Sequence, residues 1–187
     1  MKKFFFYIVL VLCIGLISCR DSTVSDDNYI FCDDTVVMTV SKIPVTYDIF
    51  RYYYLSLKIN YEDPGKEEHD KLMDECCEAV KYYASMFVFA SENNVFIDEN
   101  DISVINYEIS SYESFYGNDG FSDLLDELNH TRNSYIEIAK WQILREKCLE
   151  ALSLTESELE KQISDTVNRL EVIYDTSFYE LSPQTIK

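Results

Sequence analysis

The residues able to do chemistry are few and poorly partnered. Histidine occurs only at His69 and His130. Both fall in polar stretches near expected helix ends, where exposure is the natural reading. Neither has a second ligand at metal-site spacing, so no metal and no cofactor is expected. No serine stands in a nucleophile elbow, and no Cys–His pair carries a recognisable local signature. The 34 acidic residues are spread so widely that no carboxylate pair stands out as a general acid and base. A solvated acidic face is their expected role. No residue therefore stands out as catalytic.

Six cysteines are present. Cys76 and Cys77 are adjacent on an expected helix and point in different directions, which makes a bridge between them geometrically poor. A bridge from either to Cys148 would link two long helices; otherwise these thiols act as small buried hydrophobes. Cys32 stands alone in an acidic stretch, and Cys13 lies in the apolar leader described next.

Lys2 and Lys3 precede an apolar run, Phe4 to Ile14, that is too short for a comfortable membrane span. Leu16-Ile17-Ser18-Cys19 follows, with two apolar residues, a small residue and then cysteine. This resembles the lipobox of bacterial lipoproteins, which implies a signal peptide over 1–18 and a lipid-bearing Cys19. The alternatives are an ordinary signal peptide with an incidental cysteine, or a short membrane anchor. A lipidated Cys19 would hold the protein at the extracytoplasmic face of a bacterial cell membrane, stably only with more than one acyl chain such as palmitate. Residues 19–34 are polar and acidic and read as a tether spanning roughly 20 Å. Residues 35–187 form the expected folded domain.

The formal net charge is −18, and loss of Lys2 and Lys3 with the leader would deepen it by two. That excludes a phosphate-tracking surface, so nucleic acid is not an expected partner. It also excludes broad adhesion to anionic lipid, leaving the lipid on Cys19 as the membrane contact. Four glycines and three prolines suit helices with short connections.

The elements follow from periodicity and caps. Thr35 to Val40 and Ile43 to Thr46 are β-branched runs around Ser41-Lys42 and predict a small hairpin, with Pro44 suited to a strand edge. Thr46 or Asp48 caps a Tyr-rich helix through Tyr61, which Asp63-Pro64-Gly65 ends. A longer helix covers Glu67 to Asn93, its apolar residues too many for one face, and Asn93-Asn94 offers a left-handed stop. Asp98, with Asp101 three residues on, caps a helix on which Ile102, Ile105, Ile109 and Tyr112 share a face. Gly117 ends it and Gly120 closes the turn, both suited to positive φ. Phe121, Leu124, Leu125 and Leu128 give a short helix. Thr131 caps a long one through Leu152, and Thr155 with Glu158 forms a capping box for another. Glu171 to Tyr174 reads as a closing strand, and Phe178 to Pro183 as a last turn or short helix.

The chain is rich in aromatics, with fifteen Tyr, eleven Phe and one Trp. Most belong in a core. Tyr52, Tyr82, Tyr112, Phe115 and Tyr116 are the candidates to line a groove that contacts a client, since Tyr joins an apolar body to a wet tip.

The order of hairpin, Tyr-rich helix, long helix, Asn93-Asn94-Val95-Phe96-Ile97-Asp98, then Tyr116-Gly117-Asn118-Asp119-Gly120-Phe121 and Thr131 before Tyr135 resembles the N-terminal chaperone domain of SurA-type and PrsA-type extracytoplasmic foldases. That domain is itself related to the substrate-binding part of trigger factor. Val172 to Lys187 is similar to the C-terminal segment of clostridial-type members, which folds back on the N-terminal half. The resemblance implies a mainly α fold with a small β-hairpin and a closing helix and strand. Two departures stand out. The hairpin turn is Ser41-Lys42 where that family usually has Asn-Gly, which suggests a looser or different turn. Leu152 also runs almost directly into the Thr155 helix, leaving no room for a parvulin prolyl-isomerase domain. The resemblance implies a lipid-anchored, chaperone-like protein that holds unfolded or exported polypeptides without catalysis. The alternative is a surface lipoprotein using the same fold as an interaction module for one specific partner. A stand-alone prolyl isomerase is the least favoured reading.

Overall fold

The computed structural model describes residues 31–61, 66–183 and 185–186. The expected signal peptide over 1–18, the expected lipid site Cys19, most of the expected tether and the expected stop at 63–65 lie outside the described residues. The chain is mainly helical with a small three-stranded antiparallel sheet. Strands β1 (Val36–Val40) and β2 (Ile43–Thr46) form the hairpin. Helices α1 (Tyr47–Lys58), α2 (Lys66–Glu92), α3 (Glu99–Glu127), α4 (Arg132–Leu152) and α5 (Glu156–Val167) follow. Strand β3 (Val172–Tyr174) and a 3-10 turn over Thr176–Glu180 close the chain. The sheet order is β2-β1-β3.

The hairpin turn departs from the sequence expectation. Ser41 and Lys42 both take positive φ, 45° and 77°, as a two-residue type I′ turn requires, although neither is the favoured Asn or Gly. The closing segment holds it there: Ser41 N–H donates to the Glu171 carbonyl at 2.9 Å, and Glu171 N–H donates to Ser41 Oγ at 3.2 Å. Residues 31–34, read as the end of the tether, are part of the folded body. Phe31 is buried and stacks on Tyr47 at 5.0 Å, and the Asp33 carbonyl accepts from Asp48 N–H at 3.2 Å.

The helix ends follow local chemistry. Asp98 accepts from Asn100 and Asp101 N–H while Asp101 accepts from Asp98 N–H, and Thr131 with Ser134 and Thr155 with Glu158 make the same reciprocal pairs. Asn94 is left-handed at φ 58° and stops α2. Helix α1 ends at Lys58, short of Tyr61, and α5 at Val167.

Three apolar clusters share these elements. The first joins the hairpin, α1 and the first half of α2, and the tail closes it with Leu181 and Ile186. The second joins the end of α2 to the second half of α4 and to α5. The third, around Ile105, Ile109, Phe121 and Leu125, belongs to α3 and the first half of α4. Helix α3 packs on α4 and on no other element to a comparable extent. It stands off the body as an arm.

Only one of the two expected left-handed glycines in that arm is left-handed. Gly117 has φ 77° and ψ 164°, a conformation essentially restricted to glycine, and it breaks α3 into two helical segments. Gly120 is helical, and a Cβ there would meet Tyr116 Cβ at 3.1 Å. Gly117→Ala should cost about 1–3 kcal/mol through backbone strain alone, because nothing lies within 4 Å of the place an alanine Cβ would take. Gly120→Ala should cost less, since helix propensity offsets a small adjustment at Tyr116. Urea unfolding of the two variants checks the order; equal losses would contradict it.

Candidate functional site: a cleft beside the α3 arm

Because α3 leans away from α2, the two helices leave an open cleft of about 790 Å³. Phe87 and Ser91 from the end of α2, the connector Val95–Asp98, Glu99 and Ile102 from α3, and Glu137, Lys140 and Leu144 from α4 line it. Ile97 and Ile102 occupy the N′ and N4 positions around the Asp98 cap, the places of a hydrophobic staple. Phe96 lies between the staple and the left-handed Asn94 and remains 56 % exposed. Glu137 and Lys140 pair with each other at 2.5 Å on one side. On the other, Lys147 pairs with Asp98 at 2.9 Å and with Asp101 at 2.5 Å. The rim is thus polar and largely neutralised, and the interior is apolar.

The arm's pose is set at an elbow between α3 and α4. Asp48, Arg51 and Tyr52 share one face of α1 at i, i+3 and i+4, and all three engage the turn 129–131. Arg51 Nη1 donates to the Asn129 carbonyl at 3.4 Å, Tyr52 stacks on His130 at 4.2 Å, and Thr131 Oγ1 donates to Asp48 Oδ2 at 3.2 Å. Asp48 is 3 % exposed and also accepts from Thr46 Oγ1 and from Ile49 N–H. Burial raises its carboxyl above the ordinary range, against the lowering effect of those hydrogen bonds.

Both histidines differ from the sequence expectation of exposure. His69 is half-buried, with Nδ1 3.2 Å from Tyr54 Oη. His130 is wedged between Tyr52 and Tyr135, with Nδ1 3.1 Å from the buried Ser134 Oγ. Burial pushes its imidazole down to about 4.

The five sequence candidates do not line the cleft. Four of them belong to one ladder of rings that runs from α1 through the elbow to the arm tip. Tyr52 meets His130, His130 meets Tyr135 at 5.8 Å, Tyr135 meets Phe121 at 6.0 Å, and Phe121 meets Tyr112 at 5.9 Å. Tyr112 then stacks on Tyr116 at 6.3 Å, and Tyr116 meets Phe115 at 4.8 Å. Tyr52 and Tyr112 are half-buried, whereas Phe115 and Tyr116 are exposed at the tip. Tyr82 lies apart, near Trp141 and donating to Glu160 of α5. Sequence reasoning missed Phe96, Ile97 and Ile102 as cleft residues. For Phe96 and Ile97 the signal was local, the apolar triplet Val95-Phe96-Ile97 between a left-handed stop and a cap, and for Ile102 it was the staple position four residues past that cap.

Among the described residues no group of three or more His, Cys, Asp or Glu could hold a metal ion, and no helix is long and apolar enough to cross a membrane. Cys32, Cys76, Cys77 and Cys148 are free thiols. Cys76 and Cys77 are buried in the first cluster and Cys148 in the second, so of the two open readings the thiols act as small buried hydrophobes and no α2–α4 bridge is formed.

The elbow gives a pH dependence. The folded state resists protonating His130, so its contribution is present above about 6.5 and is lost as pH falls from there towards 4. Asp48 works in the opposite direction, because its raised carboxyl takes up a proton more readily in the folded state as pH falls. His130→Phe keeps a ring between Tyr52 and Tyr135 and removes the titration. The variant should lose on the order of 2 kcal/mol less stability than the parent between pH 7 and 4.5. Identical acid limbs in chemical denaturation would contradict this.

No protein-family model, curated protein or solved structure matches this chain.

Proposed function

We propose that this is a lipid-anchored, extracytoplasmic, chaperone-like protein that holds apolar segments of unfolded or exported polypeptides. The observation that carries the reading is the open apolar cleft between α2 and the α3 arm, with Phe96 exposed at it. The helical order supports a SurA/PrsA-like arrangement that lacks the parvulin domain, and the lipobox-like Leu16 to Cys19 supports the anchor. Binding in the cleft would be reversible and without a covalent step.

Magnitudes favour weak, exchangeable capture. Each large apolar side chain buried contributes roughly 1.5–3 kcal/mol. Two or three such anchors supply roughly 3–9 kcal/mol, so micromolar capture needs the upper end of that range together with main-chain contacts that offset the cost of ordering a flexible segment. The acidic surface keeps the loaded protein dispersed.

A fluorescently labelled, permanently unfolded polypeptide should bind with micromolar affinity, and a folded control should not. Phe96→Ser should weaken that binding by about tenfold, the loss of one apolar anchor, while leaving the unfolding midpoint unchanged within error because Phe96 is largely outside the core. Failure of the parent to bind the unfolded chain, or unchanged affinity in Phe96→Ser, would overturn the reading.

A further inference from the structure

Helix α3 carries a second stripe whose apolar side chains stand exposed. Val104, Tyr107, Glu108, Ser111 and Phe115 stand at i, i+3, i+4, i+7 and i+11, which places them on one face over roughly 17 Å. Val104, Tyr107 and Phe115 are 52 %, 77 % and 80 % exposed. The buried stripe of Ile105, Ile109 and Tyr112 faces α4. Glu99 and Ile102, which line the cleft, fall on the side of α3 opposite the exposed stripe. The stripe is therefore a surface separate from the cleft.

Its charge selects the partner. Helix α3 holds eight acidic residues and no Lys, Arg or His, and the whole chain has no Lys or Arg between Lys81 and Arg132. Among the described residues only Asp101 and Glu113 of α3 pair with a base. Glu108, within the stripe, is half-buried, and burial raises its carboxyl with no cation to offset the cost. A second copy of the chain would set one acidic helix against another, and an anionic bilayer would be repelled in the same way. A helical row of apolar knobs fits the ridges of another helix better than an extended strand.

We infer that the outer face of α3 docks a basic amphipathic helix of another protein, with its apolar side chains against Val104, Tyr107 and Phe115 and its Lys or Arg residues beside the α3 carboxylates. This holds whether or not the cleft captures unfolded clients.

The test titrates the full chain with three peptides of about 20 residues, long enough to form a helix on binding. One bears a Leu stripe flanked by Lys, one has every Lys replaced by Glu, and one scrambles the Lys and Leu order. The Lys peptide should bind with micromolar affinity, and the Glu and scrambled peptides at least about thirtyfold more weakly. Tyr107→Ser with Phe115→Ser should weaken the Lys peptide by tenfold or more, whereas Phe96→Ser in the cleft should leave it unchanged. Binding to phosphatidylglycerol vesicles should be the same for the parent and the double variant, because the α3 face takes no part in it. Absent binding of the Lys peptide, comparable binding of the Glu peptide, loss through Phe96→Ser with the double variant unaffected, or vesicle binding lost in the double variant would each overturn the inference.

Discussion

The geometry of the molecule depends on the grip of α1 on the elbow at 129–131. Asp48, Arg51 and Tyr52 reach across from the first core cluster to the point where α3 turns into α4. Helix α3 has no comparable packing against α2, so this contact, together with the α3–α4 interface, decides how far the arm stands from the body. The contact is polar and buried. Removing Thr131 Oγ1 or His130 takes one partner from a buried network in which Asp48 also accepts from Thr46 and Ile49, and a buried polar atom left short of a partner costs more than the bond itself contributes. A polar joint of this kind fixes one angle, whereas an apolar contact tolerates several.

That angle creates both surfaces of interest. Holding α3 off α2 opens the cleft over the end of α2 and the staple at Ile97 and Ile102. It also leaves the opposite side of α3 facing solvent. Helix α3 is thus apolar on two sides and acidic throughout, which is costly for a helix whose only task is to fill a bundle. The same acidity restrains self-association, so the exposed rings at Tyr107, Phe115 and Tyr116 do not imply aggregation.

What could be read from the sequence was the local part. The caps at Asp98, Thr131 and Thr155 and the left-handed Asn94 depend on a few neighbouring residues, and they stand where the pattern put them. The closing strand near Glu171 and the turn after it are also present, as β3 and the 3-10 turn. The type I′ geometry of Ser41-Lys42 was not legible, because the hydrogen bonds that hold it come from Glu171, far along the chain. Nor was the burial of His130, since the ring that covers it belongs to Tyr52 on another helix. The cleft depends on an angle between helices, which no periodicity encodes. Val104, Tyr107 and Phe115 were visible as apolar residues, but they become an uncovered stripe only once α4 is known to take the other face.

The most direct test of the cleft as the capture surface places a photo-crosslinking phenylalanine analogue at Phe96 and, separately, at the exposed Tyr179 on the sheet side. Each protein is then illuminated with a permanently unfolded polypeptide. Crosslinks from position 96 and none above background from position 179 are the predicted result. Equal yields from both positions, or none from position 96, would contradict capture in the cleft.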